Sequence, residues 1–211
     1  MAARNVRVVK VGGSLLNVQN LGGRLARWLS MQPTAVNLLV VGGGGLVDTV
    51  RDLDSKHRFD PEFVHWHCVE LLDKTAAILS ELLPQSLEHR LIRKRDELRL
   101  YLDSVDKNAS SVAVVSPAAF YFREASEKLL PSSWSTTTDS ISALLAIRTS
   151  ATELVLLKSA EPPSVGSGGE PVEDGNAGLW TKLAQHGYVD ANFPQVASLI
   201  QQIRCVNFRG F

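Results

Sequence analysis

The stretch VRVVKVGGS at residues 6–14 determines the fold, because a β-branched run typical of a buried strand ends in glycines. A second stretch, LLVVGGGG at residues 38–45, repeats this pattern. Glycine lets the backbone come close to a ligand, and the amides at a helix start favour anions. The two stretches therefore predict two buried strands, each followed by a turn that holds an anionic group. Two anionic groups held close together are what phosphoryl transfer requires.

The composition narrows the class of protein. The chain has 211 residues, with 22 Lys and Arg against 22 Asp and Glu. This balance argues against a broad surface for nucleic acid or for an anionic membrane. Cys68 and Cys205 lack metal-site spacing and indicate two reduced thiols in a cytoplasmic protein. No apolar run approaches the ~20 residues of a membrane span, and a signal peptide is not expected. We expect one domain over residues 1–211.

Strand and helix patterns alternate along the chain, which indicates an α/β fold. Strands are predicted at residues 6–11, 37–41, 111–115, 153–157 and 205–208. Apolar residues at helical spacing predict helices at residues 21–30, 46–53, 61–83, 138–147, 179–185 and 193–203. Residues 88–99 are expected to be charged surface and residues 160–178 a flexible loop. The alternation predicts a mostly parallel sheet with helices on both faces.

Lys10 is the first candidate catalytic residue. The Walker pattern and the dinucleotide pattern G-x-G-x-x-G are both absent from the sequence. Lys10 instead lies inside the first strand, two residues before Gly12, where its ammonium group can point along the glycine turn. Phosphoryl transfer depends mainly on positioning and charge neutralisation. The alternative is a partly buried lysine whose ammonium group reaches the edge of the sheet.

Two further motifs carry polar side chains at element ends. Residues 133–140, SWSTTTDS, have a hydroxyl or carboxylate at seven of eight positions and precede an apolar helix. Helix capping explains one or two of these side chains. Asp139, in the first turn, could hold a lysine ammonium group or Mg²⁺. Lys158 ends a strand, where parallel sheets place ligands, although a surface role is as plausible from its position alone.

The order of these motifs, KVGGS, VVGGGG, TTTDS and LVLLKS, resembles the amino acid kinase superfamily over nearly the whole chain. The resemblance implies a three-layer α/β/α sandwich and a kinase that uses ATP and Mg²⁺. It implies that Lys10, Asp139 and Lys158 are catalytic, with Asp139 organising the two lysines. Nucleotide binding is implied for Gly12, Gly13, Ser14, Thr138 and Ser159. Acceptor binding is implied for Gly42, Gly43, Gly44 and Gly45.

A narrower resemblance concerns the acceptor. Trp134 before TTTDS, the pair His65-Trp66, and GYVDANFPQV at residues 187–196 are similar to kinases of methanofuran or methylofuran biosynthesis. That branch phosphorylates 5-(aminomethyl)-3-furanmethanol phosphate to the diphosphate. The resemblance implies a small-molecule acceptor, and we expect a homo-oligomer. Trp66, His65 and Asp48 are the candidates for binding the cationic aminomethyl group.

Departures from the family pattern leave alternatives open. Many members follow the strand-end residue with a Val-Asp-Gly turn, whereas Lys158 is followed by SAEPP. Lys182 has the spacing of a second catalytic lysine, but Lys158 is the better candidate. His65 and His67 are two residues apart on a helix and make a poor shared metal site. The alternatives are a kinase acting on isopentenyl phosphate or an acyl amino acid, and a non-catalytic nucleotide-binding protein.

Overall fold

A six-stranded sheet in the order β3-β4-β2-β1-β5-β6 forms the centre of the protein, and every neighbouring pair is parallel. This is a computed structural model that describes residues 5–106, 108–123, 129–163 and 177–211. The strands are β1 (Val6–Val11), β2 (Val36–Val41), β3 (Arg90–Ile92), β4 (Ser111–Val115), β5 (Glu153–Lys158) and β6 (Ile203–Asn207). The all-parallel arrangement requires crossover connections, which helices provide.

Helices cover both faces of the sheet. They are α1 (Leu21–Ser30), α2 (Gly44–His57), α3 (Pro61–Leu82), α4 (Arg95–Ser104), α5 (Thr138–Arg148), α6 (Ala177–Gln185) and α7 (Phe193–Ala197). Short 3₁₀ turns lie at Gly13–Asn17 and Pro117–Ala119. Within the described ranges, no helix has the length and apolar composition needed to cross a membrane. The result is the three-layer α/β/α sandwich that the sequence predicted.

Alternation along β1 assigns its side chains to two cores. Val8 packs in one core with Leu144 and Leu145 of α5, whereas Val9 packs in the other with Leu25 of α1. Successive strand residues point to opposite faces, so Lys10 lies on the same face as Val8. The position of Lys10 in the strand therefore directs its side chain toward the helix that follows the hydroxyl-rich motif.

Most of the predicted elements are confirmed, with shifts of a few residues at their ends. The prediction for residues 88–99 is wrong, because this stretch contains β3 and the start of α4. Only Leu98 and Tyr101 of α4 are buried, and the charges between them obscure the helical pattern. The predicted helix at 193–203 ends at Ala197, and Ile203 begins the last strand. The predicted loop at 160–178 lies largely outside the described residues.

The topology brings three strand ends to one edge of the sheet. β1 lies between β2 and β5, so the glycine turns after β1 and β2 are neighbours and the end of β5 lies beside them. The start of α5 packs over β1 at the same edge. Ligands of open parallel sheets bind at such carboxyl ends, where successive connections diverge.

Gly22 is expected to be essential for stability. It lies on α1, where an added Cβ would fall 1.7 Å from the backbone oxygen of Leu82 at the end of α3. Gly22→Ala should lower the free energy of unfolding by about 2 kcal/mol, because two helix backbones must separate. Gly45→Ala is the matched control, since a Cβ there meets nothing within 4 Å. It should be neutral or stabilise by about 0.5 kcal/mol. Urea unfolding measures both, and equal effects would contradict the prediction.

Candidate active site

The two glycine turns touch each other through their backbones. A Cβ on Gly13 would lie 2.2 Å from the backbone nitrogen of Gly44, and a Cβ on Gly42 would lie 2.7 Å from that of Gly13. Gly44 also has a φ of +53°, which favours glycine. These glycines therefore serve a purpose that the sequence analysis did not anticipate, which is to let the turns after β1 and β2 pack together.

Two of the predicted glycines use their amides to extend the sheet. Gly12 donates to the carbonyl of Leu157 at 2.9 Å, and Gly42 donates to that of Val11 at 2.9 Å. The amide of Gly12 is thus engaged with β5 and anchors the turn, and nucleotide binding by Gly12 stays a prediction. Next along the chain, the Ser14 hydroxyl lies 2.9 Å from that of Ser159. The structure thereby joins two of the predicted nucleotide-binding residues across the ends of β1 and β5.

The three predicted catalytic residues meet in one buried cluster. The Lys10 Nζ lies 2.9 Å from Oδ1 of Asp139, and the Lys158 Nζ lies 2.8 Å from Oδ2. Asp139 is 4% exposed and Lys10 is 7% exposed. Lys158 also donates a hydrogen bond to the carbonyl of Tyr188 at 2.7 Å. One carboxylate thus holds two ammonium groups, one at each of its oxygens, at the edge where the glycine turns meet.

The electrostatics of this cluster leave the carboxylate ionised. Burial by itself would raise the pKa of Asp139, but the charges of Lys10 and Lys158 outweigh burial and lower it below the ordinary value. Burial and the charge of Lys10 lower the pKa of Lys158 to about 8, against the opposing effect of Asp139. The site therefore carries a net positive charge near neutral pH, which suits the binding of phosphate groups.

The start of α5 places Asp139 within this cluster. Thr137 is the N-cap residue, and its side chain accepts a hydrogen bond from the amide of Asp139. Nearly all of α5 is buried, which explains why the sequence after Asp139 is apolar or small on every side. Asp139 thus lies at the N-terminus of a buried helix, whose dipole also favours a negative charge there.

A cavity of about 300 Å³ opens beside the cluster. Its wall includes most of the predicted residues, but two of the acceptor candidates do not reach it. These two are Gly45, where an added Cβ would project into open space, and Trp66, whose ring is stacked on that of Tyr121 with centroids 5.1 Å apart. The predicted residues that line the cavity are Lys10, Gly13, Ser14, Gly42, Gly43, Gly44, Asp48, His65 and Thr138.

His65 is a fixed wall of the cavity. Its Nε2 lies 2.9 Å from the Tyr121 hydroxyl and its Nδ1 lies 3.2 Å from the Ser133 carbonyl. A carbonyl can only accept, so Nδ1 carries the hydrogen and Nε2 accepts from Tyr121. Burial lowers the pKa of His65, so the ring is neutral at physiological pH. His65 therefore positions the segment before α5.

The sequence analysis missed Arg51 and gave Trp134 no role in binding. The Arg51 guanidinium lies 4.8 Å from the centre of the Trp134 ring and 2.6 Å from Oδ1 of Asp48. Trp134 donates from its indole nitrogen to Asp54 at 2.7 Å, which ties the segment before α5 to α2. Arg51, Trp134 and Asp48 all line the cavity. Helical spacing on α2, where Asp48 and Arg51 are three residues apart, was the available signal.

The residues present suit a nucleotide with its metal ion. Gly13 leaves no room for a side chain at the turn, and the hydroxyls of Ser14 and Ser159 lie at its rim. In the described part of the chain, no three His, Cys, Asp or Glu side chains are grouped to hold a metal by themselves. Glu161, after the unusual strand end, accepts a hydrogen bond from Asn207, and Lys182 is exposed on α6.

Comparison with known proteins supports the fold. The sequence matches no protein-family model and no curated protein. The UMP kinase of Bacillus anthracis has a TM-score of 0.67 at 13% identity, over 98% of this chain and 88% of that chain. The UMP kinase of Ureaplasma parvum has a TM-score of 0.60 at 14% identity, over 98% of this chain and 91% of that chain. The uridylate kinase of Archaeoglobus fulgidus has a TM-score of 0.58 at 14% identity, over 92% of this chain and 86% of that chain. The chain has the amino acid kinase fold.

Asp139→Asn is expected to destabilise the protein in a pH-dependent way. The change leaves the buried ammonium group of Lys10 and the partly buried one of Lys158 without their counter-charge, which should cost about 3 kcal/mol near pH 7. Without Asp139 the pKa of Lys158 falls further below its unfolded value. A lysine with a depressed pKa gains stability as the pH rises from the folded to the unfolded pKa. The deficit should therefore shrink between pH 7 and 9, as measured by thermal unfolding.

The control for this variant is Asp73→Asn. Asp73 pairs with Arg93 at 2.9 Å, and the Arg93 side chain is nearly half exposed to solvent. Its loss should change the free energy of unfolding by less than about 1 kcal/mol, with no trend between pH 7 and 9. A deficit of Asp139→Asn that stays constant over this range would contradict the charge-based account.

Proposed function

We propose that this protein is a kinase that uses ATP and Mg²⁺ to phosphorylate a small-molecule acceptor. The observation that carries the proposal is the buried Lys10–Asp139–Lys158 cluster at the meeting point of two glycine turns. Phosphoryl transfer needs positive charge that is held in place rather than supplied by mobile solvent. A non-catalytic nucleotide-binding protein would have little use for two lysines held around one buried carboxylate.

Each residue of the cluster has a distinct task in this proposal. Lys158 donates to Asp139 and to a carbonyl, so its ammonium group is fixed in direction. Lys10 contacts Asp139 as an ion pair at 2.9 Å, and its ammonium group would neutralise charge on the transferred group. Asp139 binds one ammonium group at each of its oxygens and so holds the two lysines apart. ATP with Mg²⁺ would supply the phosphoryl group, held by Gly13, Ser14 and Ser159.

For the acceptor we propose 5-(aminomethyl)-3-furanmethanol phosphate, with its diphosphate as product. Arg51 and Asp48 are neighbouring opposite charges on the cavity wall, which matches an acceptor that carries both a phosphate and an ammonium group. A guanidinium group suits phosphate, and the Trp134 face offers an apolar surface for a small ring. The cavity, at about 300 Å³, suits a small molecule. Isopentenyl phosphate has no cationic group for Asp48 to bind.

We also propose that the protein is a homo-oligomer in the cytoplasm. Phe59 and Phe63 are exposed and lie in ring contact with each other, and Phe63 contacts His67. Leu46 and Leu53 of α2 are exposed as well. The contacts among Phe59, Phe63 and His67 group exposed rings between α2 and the first turns of α3, and such a group favours a protein–protein contact, which a second copy of the chain would supply.

Lys10→Ala should abolish most turnover without unfolding the protein. The change removes charge aimed at the transferred group, so kcat should fall by roughly 10² or more. Asp139 keeps its contact with Lys158 in the variant, which limits the loss of stability. Lys74→Ala is the control, because Lys74 is an exposed lysine on α3 and should leave kcat unchanged. A folded Lys10→Ala protein with normal kcat would refute the catalytic assignment.

The acceptor is tested by a panel of four compounds with ATP and Mg²⁺. The compounds are 5-(aminomethyl)-3-furanmethanol phosphate, isopentenyl phosphate, an N-acyl amino acid and UMP, with ³¹P NMR detection of products. We expect selective conversion of the first to a diphosphate. Asp48→Asn should raise its KM roughly tenfold, because a charge contact is lost, and leave the KM of ATP unchanged.

Other outcomes of this panel separate the alternatives. Selective turnover of UMP or of the acyl amino acid would keep the kinase assignment and refute the proposed acceptor. Nucleotide binding without turnover of any of the four would favour a non-catalytic nucleotide-binding protein. Absence of nucleotide binding in calorimetry would refute both the kinase and the binding protein.

A further inference from the structure

The segment of residues 188–193, which leads from α6 to α7, contacts both sides of the candidate site. The carbonyl of Tyr188 accepts from Lys158, and the Tyr188 ring centre lies 5.2 Å from the same ammonium group. Asn192 donates from its amide to the hydroxyls of Ser135 and Thr136, each at 2.9 Å. One short segment thus holds the end of β5 and the loop before α5 together.

Asp190 is the centre of this segment. Its side chain is buried, and its two oxygens accept six hydrogen bonds. Four come from Thr137 and Ser140, which each contribute a backbone amide and a hydroxyl. The other two come from the amides of Asn192 and Phe193. A carboxylate has about four lone-pair sites, so Asp190 is saturated with donors.

Thr137 and Ser140 are the residues that flank Asp139 and its neighbour Thr138 at the start of α5. Asp190 reaches them from 50 residues further along the chain, so the tether is tertiary. The helix already has its own cap in Thr137. A second carboxylate near Asp139 is also unfavourable, because burial and the charge of Asp139 raise the pKa of Asp190. Capping alone does not account for a buried charge in this position.

We propose that Asp190 is a positioning residue, which fixes the first turn of α5 so that Asp139 contacts Lys10 and Lys158 at the same time. Asp139 must place one oxygen within 2.9 Å of Lys10 and the other within 2.8 Å of Lys158, which lie on adjacent strands. A small rotation of the helix start would break one of these contacts. The consequence for turnover rests on the proposed function, whereas the effect on the lysines does not.

The decisive measurement is the titration of Lys158 by lysine-selective NMR. The groups that face Lys158 are Asp139 of α5, Lys10 of β1, Cys205 of β6 and the ring of Tyr188. In Asp190→Asn, an NH₂ group that cannot accept replaces one of the two oxygens, so three of the six donors lose their acceptor. Each oxygen of Asp190 accepts at least one bond from Ser140, so the variant weakens the hold on the start of α5 whichever way the amide lies. With Asp139 displaced, the proton affinity of Lys158 should fall about tenfold.

Three further variants separate positioning from a direct effect of charge and from a general loss of stability. Asp190→Glu keeps the charge but displaces the carboxylate, so a positioning role predicts that the titration is not restored. Ser140→Ala keeps both carboxylates and removes one tether, so it should shift Lys158 in the same direction by a smaller amount. Ser140→Ala also provides the test of the proposal if neither Asp190 variant folds. Asp60→Asn is the matched control, since Asp60 caps α3 through Phe63 and should leave Lys158 unchanged.

The outcomes separate this proposal from the proposed function. A normal Lys158 titration in folded Asp190→Asn or Ser140→Ala would overturn the positioning role. Restoration in Asp190→Glu would overturn it as well, because the effect would then be one of charge at a distance. In an active kinase, Asp190→Asn should lower kcat roughly tenfold or more with little change in the KM of ATP. A shifted titration in a protein that phosphorylates no acceptor would refute the kinase and retain the positioning role.

Discussion

The contact of one buried carboxylate with two ammonium groups is the interaction on which the rest of this structure depends. Asp139 is 4% exposed, and its ionisation there requires the charges of Lys10 and Lys158. Lys158 in turn needs the carboxylate, because burial and the charge of Lys10 act against the charge of Lys158. The three residues come from β1, β5 and α5, so the sheet order and the packing of α5 must both be correct before the three side chains can meet.

Close backbone contact is the second requirement of the site. The turns after β1 and β2 approach so closely that a Cβ on Gly13 would overlap the backbone of Gly44. Residues with side chains would separate these turns and move the end of β1 away from the cavity. The glycines therefore bring the ends of β1 and β2 together beside the charged cluster. In the proposed function, this arrangement would let a phosphate-bearing donor and acceptor share that cluster.

A second layer of residues holds the cluster and shapes the cavity. Asp190 accepts hydrogen bonds from the residues at the start of α5, and His65 of α3 contacts the carbonyl of Ser133. Trp134 connects the same segment to α2 by its hydrogen bond to Asp54, and the Arg51 guanidinium lies over the Trp134 ring. These contacts fix the hydroxyl-rich segment from three directions. They explain why so many polar side chains occur before α5, where helix capping needs only one or two.

The sequence by itself predicted the parallel α/β fold, the two glycine turns and Lys10 as a site candidate, because hydrophobic periodicity and the position of glycines are local patterns. The grouping of Asp139 with both lysines came from the resemblance to the amino acid kinase superfamily. It did not reveal β3 or α4, since three residues are too few for a strand pattern and charges mask the apolar positions of α4. Only the tertiary structure showed that Trp66 packs against Tyr121 while Trp134 faces the cavity. It alone joined Asp190 to Ser140, because contacts between residues 50 apart depend on how helices cross the sheet, and that path is not encoded in any local pattern.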